Sequence, residues 1–192
     1  MINTSKIHLA PYLNVAYFIK LFSLFILFYY FNISYLAITD PQHYYNYFLD
    51  HYFNYIYWLR TSILYGAQLI TYLFGQQTYI NPPHTIETAA GTSVILSFSC
   101  LGLGILSFWS AFVIANNGTW QKKICWCLGG LVFIWFINCW RIGLLLLAME
   151  KQWKSLRTID HHDLFNIVTY TSVLLLMYYY SREKEDELVV DV

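Results

Sequence analysis

Ser97-Phe98-Ser99-Cys100-Leu101-Gly102-Leu103-Gly104 opens an apolar run that ends near Ala115. A tight Asn116-Asn117-Gly118 loop follows, with Lys122 and Lys123 just beyond it. The chain returns through Ile124 to Met149, a run whose only charge is Arg141. The loop is too short to cross a bilayer, so the two runs are antiparallel neighbours. Centre it on Trp120, and Cys100 lies 20 residues before it and Arg141 21 after. At a rise of ~1.5 Å per residue both sit roughly 30 Å from the loop, at matching depth.

Composition sets the class. The chain has 192 residues, 58% hydrophobic and 11% charged, against roughly 25% charged in soluble domains. That shortfall, with several apolar runs of spanning length, predicts an integral membrane protein. Net charge is zero, so no basic surface advertises nucleic acid. Tyrosine pairs and triplets such as Tyr29-Tyr30, Tyr44-Tyr45 and Tyr178-Tyr179-Tyr180 fall near run ends, as interfacial belts do. No small-residue cleavage site follows the first apolar run, which therefore reads as a retained span.

The expected fold is an all-α polytopic membrane protein, a single domain over 1–192. About five hydrophobic helices are predicted, near 11–39, 45–75, 100–116, 123–149 and 162–181. The second carries Asp50, His51 and Arg60 in its first half, which places that half at the interface. Before the third helix, β-branched segments around Thr78–Ile86 and Gly91–Leu96 are punctuated by Pro82-Pro83 and Ala89-Ala90-Gly91, the texture of a short extramembrane hairpin. A catalytic core would span about 75–181, and the charged tail 182–192 would fray.

His162 opens the last helix. The connection after Met149 turns the chain round, so His162 shares a leaflet with Cys100 and Arg141. Strict symmetry sets it about seven residues higher than Arg141, roughly 10 Å. Taken alone, Cys100 reads as a core cysteine and Arg141 as a snorkelling residue. Together they read differently. An arginine in an apolar run costs about 2.5–3.5 kcal/mol and tends to face the bundle interior with a partner. A thiol beside a cation at a helix N-terminus is activated. An imidazole can shuttle its proton, and Arg141 or the amides of Leu101 and Gly102 can hold an oxyanion.

Cys125 and Cys127 are spaced C-x-C, without a partner pair at zinc spacing. His161-His162-Asp163 lacks the further ligands zinc would want. Neither a metal nor another cofactor is called for. Three of the four cysteines read as small apolar residues. Asn32-Ile33-Ser34 and Asn117-Gly118-Thr119 match a glycosylation pattern, but one lies in a span and the other in an expected cytoplasmic loop.

The motifs Ser99-Cys100-Leu101-Gly102, Asn138-Cys139-Trp140-Arg141-Ile142 and His161-His162-Asp163-Leu164-Phe165-Asn166 stand in that order. The arrangement resembles the exosortase/archaeosortase membrane transpeptidases, over roughly residues 75–180. By resemblance Cys100 is the nucleophile, His162 the acid/base and Arg141 the charge stabiliser, with Gly102, Asn138, His161 and Asn166 in supporting places. His161 and His162 compete for the catalytic role. The spacing to Asn166, which stands where the family often has Gly, selects His162. The chain is compact beside longer members, which implies a small, core-type protein.

The resemblance implies a sorting reaction on exported proteins that end in a short motif, a hydrophobic helix and a basic end. Such a protein would be held as a thioester on Cys100 and passed to an acceptor that the sequence does not identify. Membrane lipids surround the chain. Lys122 and Lys123 mark their loop as cytoplasmic, so the site would face outward from the cytoplasmic (inner) membrane. Lys151, Lys154 and Arg157 oppose that charge bias and would engage anionic headgroups or substrate. Two other readings compete: a non-enzymatic subunit or small transporter whose Arg141 binds an anion, and a cysteine protease with water as acceptor.

Overall fold

The computed structural model describes residues 15–41, 44–82, 84–153 and 161–190, without the side chains of 161–163 and 184–190. It is mostly helical. The helices are α1 Val15–Thr39, α2 Tyr47–Phe53, α3 Tyr55–Leu73, α4 Leu103–Ala115, α5 Trp120–Glu150 and α6 His161–Val190. Three strands, β1 Thr78–Asn81, β2 Thr85–Thr88 and β3 Ser93–Ile95, and a 3-10 turn over Phe98–Leu101 lie between α3 and α4. Three stretches are long and apolar enough to cross a membrane: α1, the turn plus α4 (Phe98–Ala115), and α5. The other two expected segments, now α3 and α6, do not join that set among the described residues.

α5 is the axis of the bundle. It packs against α3, α4 and α6, while α1 packs on α4. At ~1.5 Å per residue its 31 residues reach about 46 Å, more than a hydrocarbon core of roughly 30 Å. Two hydrophobic cores lie along it. One gathers Ile63, Leu64 and Ala67 of α3, Ile86, Val94 and Leu96 of the sheet segment, Leu101, and Ile142 and Leu146 of α5. The other gathers Leu21 of α1, Trp109, Phe112 and Val113 of α4, Ile134 of α5, and Val173 and Tyr180 of α6.

Close approach at the second core depends on Gly130. A methyl group there would lie 2.0 Å from Nε1 of the fully buried Trp109, whose indole donates to the Trp126 carbonyl at 3.3 Å. Gly129 has nothing within 4 Å of the same added atom. Gly130→Ala is therefore expected to lower the thermal midpoint of the detergent-solubilised protein, by the ~1–3 kcal/mol typical of overpacking. Gly129→Ala, its neighbour, should leave the midpoint unchanged or raise it slightly.

The structure revises several expectations. The second segment divides at Asn54, whose side chain accepts from Tyr57 N at 2.8 Å and so caps α3. The hairpin is a three-stranded antiparallel meander, with Thr78 opposite Thr88 and Ile86 opposite Val94. The period of 2 puts Ile86, Val94 and Leu96 inward against α3 and α5. Thr88 donates to Glu150 at 2.8 Å, tying the sheet to the end of α5. The tail is helical as far as Val190, because the Arg182–Glu187 run consists of good helix formers apart from Asp186.

Candidate functional site

Cys100 is not at the first turn of a helix, as the sequence reading has it. It lies in the 3-10 turn, and Gly102 intervenes with φ +73° before α4 begins at Leu103. The turn forms because Ser97 is extended and its carbonyl accepts from Cys100 N at 3.0 Å. The left-handed Gly102 then redirects the chain into α4, a conformation that glycine adopts without steric cost. Cys100 is half-buried and Leu101 fully buried.

α5 holds this turn with two side chains one helical turn apart. Arg141 donates from Nη2 to the Cys100 carbonyl at 2.5 Å. Asn138 donates from Nδ2 to the next carbonyl, that of Leu101, at 3.4 Å. Positions i and i+3 share a helix face, so the Asn-x-x-Arg spacing matches two consecutive carbonyls of the turn. Gly102 completes the fit: a Cβ there would stand 2.5 Å from Asn138 Nδ2. The Asn138 Oδ1 is buried without a partner among the described residues.

Arg141 is only 8% exposed, so it does not snorkel to the surface. Its Nη1 donates to Asn166 Oδ1 of α6 at 3.0 Å. The Cys100 side chain and the Tyr170 phenol lie within electrostatic reach of the guanidinium. One cation thus links the turn, α5 and α6. Placed beside a thiol, a guanidinium stabilises the thiolate, which is the nucleophilic form.

The structure therefore brings together Cys100, Gly102, Asn138, Arg141 and Asn166. α6 begins at His161. Position 162 lies one turn before Asn166 on the same helix face, about 6 Å further along the axis. The side chains of His161 and His162 lie outside the described residues. Tyr170 falls one turn after Asn166 on that face. The sequence reading missed it, although the spacing 162, 166, 170 is the signal that could have found it.

The remaining thiols have other surroundings. Cys139 is buried against Gly66, where a Cβ would meet its sulfur at 2.4 Å. Cys127 lies 3.8 Å from the Ser110 hydroxyl of α4. Cys125 is exposed on α5. Among the described residues no group of three His, Cys, Asp or Glu side chains could hold a metal ion. Compared with known proteins, the chain matches no family model, no curated protein and no solved structure.

Proposed function

We infer that this chain is a membrane cysteine transpeptidase of the exosortase type. The observation that carries the reading is the Arg141 guanidinium, which from within an apolar helix binds the Cys100 carbonyl and Asn166 of α6. A structural arginine needs acceptors. It does not need to share them with a half-buried cysteine in a turn that a glycine and an asparagine also shape.

The reaction divides into two acyl transfers. The Cys100 sulfur attacks a peptide carbonyl near the substrate's motif, and His162 takes the thiol proton. Arg141 stabilises the charge that develops on sulfur and on the carbonyl oxygen. The C–N bond breaks, the proton passes to the departing amine, and a thioester remains on Cys100. A nucleophile on the acceptor then attacks that thioester, loses its proton to the imidazole, and restores the thiol. The site faces outward across the cytoplasmic membrane, at the end of α5 away from Lys122 and Lys123. The substrates are exported proteins with a motif, a hydrophobic helix and a basic end.

The test is a map of exported-protein C-termini in cells with and without this chain. Loss of the chain should leave a defined set with the hydrophobic helix attached. In its presence the same set should end at a new carboxyl joined to a non-water nucleophile. New free carboxylates throughout would make the chain a protease. An unchanged set would leave the non-enzymatic, anion-binding reading of Arg141 in its place.

A further inference from the structure

α3 lies along α5 in parallel register. The Trp135 indole donates to the Ser62 hydroxyl at 2.9 Å, Gly66 stands against Cys139, and Gly143 stands against Ala67 and Ile70. α5 is long and apolar enough to cross a membrane, so the opposite face of α3 meets lipid. That face carries Trp58, Tyr65, Leu69 and Tyr72, all exposed, at the spacing of one helical stripe. The stripe ends in a cavity of about 400 Å³ between α3 and β1. Its depth is that of the Cys100 turn, because Ile70 meets α5 just past Arg141.

The chain builds this cavity by the way α3 stops. Gly75 takes φ +76°. Gln76 N bonds back to the Thr71 carbonyl and Gly75 N to the Tyr72 carbonyl, both at 2.9 Å, the pairing that closes a helix on a left-handed glycine. Gln76 and Gln77 then cross the end of α3, and β1 packs beside it. Gln68 donates from Nε2 to the Thr78 carbonyl at 2.7 Å, which fixes the strand to the helix and leaves its Oε1 to accept. Thr78 is buried and Tyr79 exposed, by the period of 2. The lining therefore gathers three phenol rings, Tyr65, Tyr72 and Tyr79, and three amides, Gln68, Gln76 and Gln77. The rings are 59%, 69% and 54% exposed, so their faces are open to a ligand.

We propose that this cavity binds the uncharged sugar headgroup of a glycolipid, whose acyl chains lie along the Trp58–Tyr65–Leu69 stripe. The lining contains no charged side chain, and it sits at the C-terminal end of α3, the negative end of the helix dipole. A phospholipid would bring its phosphate to a place without a cation and with an opposing field. Amides and phenols both donate and accept, as sugar hydroxyls do. Amides left against acyl chains would lose their hydrogen bonds, and a sugar restores them. A tyrosine ring offers an apolar face with a polar tip, which suits the C–H face of a pyranose and its hydroxyl edge. The volume falls within the range of small-molecule sites, about 300–1,000 Å³. The binding does not use Cys100.

The experiment uses the full chain in nanodiscs of equal parts phosphatidylglycerol, phosphatidylcholine and monoglucosyl-diacylglycerol, with the retained lipids counted by native mass spectrometry. The wild-type protein should keep the glucosyl lipid about fivefold or more over either phospholipid, the worth of about one net hydrogen bond. Tyr65→Ala combined with Tyr72→Ala should bring that ratio close to unity, and Gln76→Leu should lower it in part. Equal retention of the three lipids by the wild-type protein overturns the proposal and needs no variant to fold. A glucosyl preference unchanged in the folded double variant also overturns it, because the lipid then sits elsewhere. A preference for phosphatidylcholine would overturn it in favour of an ammonium held by the tyrosine rings. Free methyl glucoside that displaces the glucosyl lipid at equal concentration would overturn it in favour of a soluble saccharide.

Discussion

If the proposed chemistry holds, Cys100→Ser is expected to abolish processing of the exported set, with a loss of about 10³-fold or more, while the protein still folds and inserts. The expectation follows from what each atom supplies. A hydroxyl resembles a thiol in shape, so the turn, its bond from Ser97 and the Arg141 contact with the 100 carbonyl all survive. The change removes an atom whose ionised form is accessible near neutrality and is intrinsically nucleophilic. No base tuned to a thiol ionises a serine hydroxyl to a comparable degree. Losses of this size are usual when a covalent nucleophile is removed. Cys100→Ala should match it. The assay is the map of C-termini, read beside the chain-deficient strain. Equal processing by Cys100→Ser, Cys100→Ala and the wild-type protein would remove the thiol from the chemistry.

Arg141→Lys is the second large effect, expected at about 100-fold in processing. Lysine keeps the charge but offers one nitrogen, where the guanidinium spans two separate acceptors, the Cys100 carbonyl and Asn166 Oδ1. One partner is then left with its hydrogen bond unmade, at about 1–3 kcal/mol, and the thiol shifts against its cation. A shift of ~1 Å at a reacting group can cost about 100-fold. Arg141→Gln retains donors but loses charge, and should fall further. If Arg141→Lys processed substrate at the wild-type rate, the fork would have no role beyond charge.

The sequence disclosed much of this site by counting. Cys100 and Arg141 are equidistant from a short loop, and two antiparallel helices joined there must bring them to one depth. For His162, strict symmetry gives an offset of about seven residues from Arg141; Arg141 bonds to Asn166, and position 162 comes four residues before that contact in α6. What counting could not supply was which atom Arg141 would grip. The backbone carbonyl of Cys100 is not encoded by any side chain, and it becomes available only because Gly102 takes a left-handed turn that places α4 afterwards. The Asn138 partnership was hidden for the same reason. Arg60 reads as an interface residue, and His84 falls within the expected hairpin segment. They lie 24 residues apart, and the meander that joins them depends on Leu96 N bonding back to the His84 carbonyl at 2.7 Å, a non-local contact without a periodic signal. The split at Asn54 was missed because apolar periodicity continues across it, and only the capping side chain marks the break.

The most direct test is to map acyl adducts on the purified protein by mass spectrometry, with and without hydroxylamine, which cleaves thioesters. The four thiols serve as one another's controls. The account predicts a hydroxylamine-labile adduct on Cys100 and none on Cys125, Cys127 or Cys139. An unmodified Cys100 in cells that still process the exported set, or a labile adduct on one of the other three, would contradict it.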